Sequence, residues 1–206
     1  DLANNLYLIV ASVFVLSITN VIFPKLSKLE VSAQTGAFRD TVRTTLHGCL
    51  FFVGPMMAGM MVISRPLIDL IYGGGAFDAT AVEVTGRTMM FVSLGMAGYG
   101  IQNILSRAYF AKQEGKIPLV SSCVSVLVNI GGCLLLTGPL GMSGLAIASA
   151  VASTASALVL LIPMHDVTDR GFWLDMAKVA AASLMMAAAA WCTLQAVSGF
   201  ADGTAG

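Results

Sequence analysis

Residues 117–165 read IPLVSSCVSVLVNIGGCLLLTGPLGMSGLAIASAVASTASALVLLIPMH, 49 positions without a single Asp, Glu, Lys or Arg. A bilayer core ~30 Å thick is crossed by about 20 apolar residues in a helix, so this run is long enough for two crossings. Thr137-Gly138-Pro139-Leu140-Gly141 supplies the turn between them, because Pro and Gly end one helix before the next begins. Four other charge-free stretches, 2–24, 44–64, 88–106 and 179–201, each fit one crossing. The expected fold is therefore an all-α integral membrane bundle of six transmembrane helices, with spans at about 2–24, 44–64, 86–108, 118–136, 142–163 and 176–200.

Composition agrees. Of the 206 residues 57% are hydrophobic and 11% charged, against roughly 25% charged in soluble domains. Mean hydropathy is +0.85. Eleven basic and eleven acidic side chains cancel, which leaves no overall pull toward nucleic acid. A β-barrel would alternate in hydrophobicity over ten-residue segments, and these runs are continuous. A single water-soluble core would leave large apolar surfaces exposed. Pro24, Pro66, Pro118, Pro139 and Pro163 fall at the expected span ends, and only Pro55, beside Gly54, sits mid-span, where a kink is expected. Cys49, Cys123, Cys133 and Cys192 have no metal or disulfide spacing and read as small apolar fillers. Nothing near Asp1 resembles a signal peptide, and the chain opens inside hydrophobic sequence, so we expect a piece of a longer membrane protein.

Orientation follows from the basic residues. Connections one, three and five hold Lys25, Lys28, Arg39, Arg43, Arg107, Lys112, Lys116, Arg170 and Lys178, while the second holds Arg65 and Arg87 and the fourth none. The bias assigns the odd connections to the cytoplasm and both chain ends to the outside.

Polar residues inside the spans are the candidate functional groups. Asn5, Ser12 and Thr19 recur at heptad spacing on one face of the first span, with Asn20 beside them. They either line an aqueous cavity or, as Ser, Thr and Asn commonly do, bond back to the preceding turn and join neighbouring helices. Tyr99, Asn103 and Ser106 share a face that leads into Arg107, as a gate or as an interfacial anchor. His47 near the start of the second span is a possible relay or headgroup contact, or an ordinary interfacial histidine. Gly144, Ala148, Ala152 and Ser156, with Ser149, Ser153 and Ala157 as a second row, form a small-residue stripe that favours close helix packing. Tyr72-Gly73-Gly74-Gly75-Ala76-Phe77 lacks the Gly-Lys-Ser/Thr of a phosphate loop and reads as a turn. No nucleophile or HExxH motif occurs, so neither enzyme chemistry nor a metal or cofactor is expected.

Three segments also carry a family resemblance. Leu2-Ala3-Asn4-Asn5-Leu6 with Val13 to Ser27 is similar to the "YANRL...GVF..AI.TVLFPKLS" stretch of the MurJ/MviN lipid II flippases. Leu105 to Pro118 resembles that family's "L.RAFYARQDTKTP", and Leu70 to Phe77 its "LLFERGAF" turn. The resemblance implies spans eight to thirteen of a fourteen-helix transporter of the MOP superfamily with a MATE-like fold, resident in the bacterial plasma membrane. It further implies a flippase that moves lipid II, the undecaprenyl-pyrophosphate-linked peptidoglycan precursor, by alternating access around a cationic cavity. Its partners would be lipid II, membrane lipids and the remaining N-terminal half of the same chain, with no nucleic acid and no cofactor. The last span, around Ala180, Ala187 and Ala188, would border the lipid-tail groove. Asn5 stands where the family motif has arginine, and so does Gly74. Two alternatives stay open: a related exporter of drugs or polysaccharide-linked lipids, and a non-transporting membrane scaffold.

Overall fold

In a computed structural model the backbone is described for residues 2–72, 78–167 and 170–203, and side chains within these apart from 2–8, 10, 11, 14, 79, 165–167, 170–175 and 196–203. The 73–77 turn, the side chain of Asn5 and that of Arg170 lie outside the described residues. Every described element is helical: α1 (Leu2–Val31), α2 (Thr35–Tyr72), α3 (Ala79–Ser93), α4 (Met96–Ala111), α5 (Lys116–Leu140), α6 (Met142–Leu161), a 3₁₀ segment (Ile162–Val167) and α7 (Arg170–Gly203). Among the described residues four helical stretches, Thr35–Tyr72, Lys116–Leu140, Met142–Met164 and Met176–Gln195, are long and apolar enough to cross a membrane.

Two expectations need correction. The stretch 86–108, expected as one span, is divided: α3 ends at Ser93 and α4 begins at Met96. The break is built by packing against α6. A side-chain carbon at Gly95 would lie 3.1 Å from the Ala150 Cα, and one at Gly98 only 2.9 Å from the Thr154 backbone nitrogen. The Gly95 carbonyl accepts the Tyr99 N–H at 2.9 Å, and the Ser153 hydroxyl of α6, 2.9 Å from its own Ala150 carbonyl, approaches the same oxygen at 3.3 Å, which marks how closely α6 lies on the joint. Charge spacing marks where a segment enters and leaves the bilayer and is blind to a joint inside it.

Pro24 and Pro66, expected at helix ends, lie inside α1 and α2, which run on to Val31 and Tyr72. Both prolines sit on exposed positions. A proline there removes one intrahelical bond on an open face, and the helix continues past the apolar stretch into polar surroundings.

The core is the meeting of α1, α2 and α4. Val15, Leu26, Phe38, Val42, Leu46, Ile104, Leu105 and Tyr109 are at most 2% exposed. Tyr109 Oη donates to the Leu160 carbonyl at 2.9 Å, which ties the end of α4 to the end of α6. Tyr109→Phe keeps the packing and leaves that acceptor unmet, so the full-length protein is expected to lose about 1 kcal/mol, read as a lower melting temperature in detergent.

The small-residue stripe packs as expected. Gly144 meets the Leu136 carbonyl, and a side-chain carbon at Gly132 would fall 2.9 Å from Ala148 Cβ. Ser121 and Ser156 hydroxyls share a 2.6 Å hydrogen bond, and Asn129 Nδ2 donates to Ser149 Oγ at 3.1 Å. In an apolar solvent helices gain nothing from excluding water, so such close approach and hydroxyl contacts hold α5 to α6.

Candidate lipid groove and polar face

A groove runs between α2 and α7. Its first part, 430 Å³, is lined by Thr44, His47, Gly48, Met176, Lys178 and Val179 among others. The second, 470 Å³, continues it past Gly54, Met57, Met61, Ala180, Ser183 and Ala187. Leu50, Met176 and Val179 line both parts, so they form one channel. Helix chemistry explains its shape. A side-chain carbon at Gly54 would lie 2.7 Å from Val179 Cγ1 and 2.8 Å from Ser183 Oγ, so glycine there lets α7 close onto α2 at one level. Alanines on α7 leave room elsewhere along the seam, and unbranched methionines line it with adaptable, polarizable surface. Ser183 turns its own hydroxyl back to the Val179 carbonyl at 2.8 Å, leaving the wall apolar. The groove is thus apolar along its length, with the ionisable pair His47 and Lys178 at one end.

Ala180 and Ala187, expected on a roomy face, line the groove, whereas Ala188 is exposed outside it. Met57, Met61 and Lys178 were missed as groove residues. The Gly54-Pro55 pair was the one local signal, since a mid-span glycine beside proline marks either a kink or a close approach.

The polar residues of α1 divide. Ser12 Oγ donates weakly to the Ile9 carbonyl at 3.4 Å, and Thr19 Oγ1 donates to the Leu16 carbonyl at 3.1 Å. Thr19 is fully buried in the bundle. Asn20 is instead on the open face, where Ile9, Val13 and Leu16 are also exposed. On α4, Asn103 Nδ2 donates to the Tyr99 carbonyl at 2.8 Å, and the Arg107 guanidinium lies 5.9 Å over the Phe23 ring of α1. His47 lines the groove with α7.

The charged connections meet at one end. Lys112 Nζ stands 5.2 Å over the Phe38 ring, which brings the third connection onto the first, and the Tyr109 to Leu160 bond brings the end of α6 there too. Arg65 is at the opposite end, packed on Gly86 of α3.

A two-ended bundle of long apolar helices is the architecture of a multi-pass membrane protein. The family model for the lipid II flippase MurJ matches residues 1–203. The chain belongs to the MurJ family. It is 28% identical over 186 residues to a protein of Thermotoga maritima named probable lipid II flippase MurJ, covering 90% of this chain and 37% of that protein. A lipid II flippase MurJ of Thermosipho africanus is 28% identical over 184 residues, covering 89% of this chain and 37% of the relative. A solved structure, described as lipid II flippase MurJ in an inward closed conformation, superimposes with a TM-score of 0.82 at 28% identity, covering 93% of this chain and 40% of that one. The chain thus spans well under half the length of the relatives it matches.

Proposed function

We propose that these helices are part of a lipid II flippase of the bacterial plasma membrane, which carries the lipid-linked peptidoglycan precursor outward by alternating access and changes no covalent bond. The observation that carries the reading is the family match over residues 1–203 together with the like fold at a TM-score of 0.82. The groove between α2 and α7 supports it: an apolar lane ending at His47 and Lys178 suits a long isoprenoid tail whose anionic head stays near the basic end. That end would face the cytoplasm by the excess of Lys and Arg. Asn5 and Ser12 would border the headgroup cavity, whereas Thr19, buried within the bundle, would support its wall; Asn103 and Arg107 would lie toward its cytoplasmic entrance and His47 at the basic end of the groove, and the remaining helices of the full-length protein would complete it. Rocking of two helical halves about that site is the motion the reading requires.

A scaffold that no longer transports is favoured by one observation, Asn5 in place of the family arginine, because an amide cannot supply the charge-assisted bonds that a guanidinium gives a pyrophosphate. One experiment separates the readings. The full-length gene is placed in a flippase-depleted strain, alone and as Asn5→Arg. Rescue by the unaltered gene is the expected result and would also exclude an exporter of drugs or other lipids. Rescue by Asn5→Arg alone supports a degenerate cavity, and failure of both despite normal membrane levels counts against the flippase reading.

A further inference from the structure

α3 and α6 pack on each other and begin at the same end of the bundle, the one whose connections hold only Arg65 and Arg87 as cations. At the mouth of their seam a 280 Å³ pocket is lined by Thr80, Glu83, Val84 and Arg87 from α3 and by the turn from Leu140 to Ser143 that opens α6. Arg87 Nη2 donates to Glu83 Oε1 at 3.3 Å, and the two side chains are 61% and 52% exposed. A one-turn ion pair this open contributes little, so a ligand carrying both charges can replace each partner readily. Ser143 is different: it is only 8% exposed, yet its hydroxyl makes no hydrogen bond among the described residues. A hydroxyl so far removed from water and lining the pocket is satisfied by what fills that pocket. α6 also opens without a side-chain cap, so its first turn adds positive polarity at this point.

The seam continues inward along the same helix faces. Leu94 lies seven residues past Arg87, and Ile147, Ala150 and Thr154 follow Ser143 at helical spacing. These residues line a second, apolar hollow of 250 Å³ that extends to Leu158. Ile147 to Leu158 spans ~16 Å of helix, about half of a ~30 Å bilayer core and hence the depth of one leaflet. A cup with one cation, one anion and a free hydroxyl, above an apolar slot one leaflet deep, matches a lipid with a zwitterionic head.

We propose that the α3–α6 seam holds a phospholipid of the outer leaflet whose head joins a primary ammonium to a phosphodiester, as in phosphatidylethanolamine, with one acyl chain in the apolar hollow. The Arg87 guanidinium and the Ser143 hydroxyl donate to the phosphate oxygens, and the lipid ammonium donates to the Glu83 carboxylate. A choline head has the same two charges but no N–H to give Glu83. A glycerol head lacks the cation and leaves Glu83 facing a phosphate. The seam shares no lining residue with the α2–α7 groove, so the site stands whether or not the transport reading does.

The test uses the full-length protein in micelles with equimolar phosphatidylethanolamine, phosphatidylcholine and phosphatidylglycerol, with lipid retention read by native mass spectrometry. Phosphatidylethanolamine is expected to be retained about fivefold over either competitor. E83Q brings it down to the level of phosphatidylcholine. R87Q and S143A each remove a phosphate donor and weaken both zwitterionic lipids alike, by about fivefold. A155F fills the apolar hollow and lowers their retention together. Equal retention of the three lipids by the parent protein overturns the proposal, as does an undiminished ethanolamine preference in E83Q. Displacement of the lipid by millimolar phosphoethanolamine also overturns it, because the pocket would then be a site for a soluble zwitterion. If R87Q or S143A fails to fold, E83Q and A155F decide, and unchanged retention in A155F overturns the seating of the chain between α3 and α6.

Discussion

Gly98→Leu in the full-length protein is expected to abolish accumulation of a folded, monodisperse species. Around Gly98 the nearest atoms are all α6 backbone, with the Thr154 nitrogen at 2.9 Å, the Ser153 carbonyl carbon at 3.0 Å and the Thr154 Cα at 3.1 Å from where a side chain would begin. Side chains can rotate out of the way, but a helical backbone cannot, so the whole of α6 must move. Overpacking a relaxed core costs about 1–3 kcal/mol, and displacing a helix also breaks the Ser153 to Gly95 bond and loosens the α5–α6 seam. Because close approach is what holds such helices together in lipid, the cost is expected beyond that range. Size-exclusion chromatography and a thermal melt in detergent give the readout. Gly36→Leu is the control: no atom lies within 4 Å of the added carbon, and its melting curve is expected to match the parent. A folded Gly98→Leu with the parental melting temperature would show that α4 and α6 do not pack this closely.

The second large effect concerns transport. Ala180→Trp and Ala187→Trp each put an indole into the 470 Å³ groove, and both together are expected to reduce precursor flipping at least tenfold (about 1.4 kcal/mol) while leaving the bundle folded. Filling an open groove creates no clash with backbone, so stability is spared where passage is not. Ala188→Trp, on the exposed side of the same helix, controls for the bulk of tryptophan in α7 and is expected to flip at the parental rate. Precursor accessible to an outside enzyme is the measurement. Undiminished flipping by the double variant would remove the groove from the tail's path.

These contrasts show what local sequence can and cannot encode. Four long apolar helices, Thr35–Tyr72, Lys116–Leu140, Met142–Met164 and Met176–Gln195, were legible because lipid exacts a severe penalty on charge, and that penalty acts residue by residue. The α5–α6 seam was legible for a similar reason, since Gly144, Ala148, Ala152 and Ser156 repeat on one helix and need no knowledge of the partner. The joint at Leu94 and Gly95 was not, because the same glycine inside an apolar run can be a helix interior or a break, and α6 decides which. Thr19 illustrates the same limit: heptad spacing put it on a face with Ser12, but which face points inward depends on where α2 and α4 pack. The groove is harder still, because its walls are more than a hundred residues apart in the chain.

The division of the third span has an electrostatic corollary. Each helix carries about half a positive charge at its beginning and half a negative charge at its end. Where α3 stops and α4 starts, the negative pole of one faces the positive pole of the other, so the two largely neutralise. The joint, bridged by the Gly95 N–H to the Val92 carbonyl and by the Tyr99 N–H to the Gly95 carbonyl, therefore sets up no field that would draw ions or water into hydrocarbon.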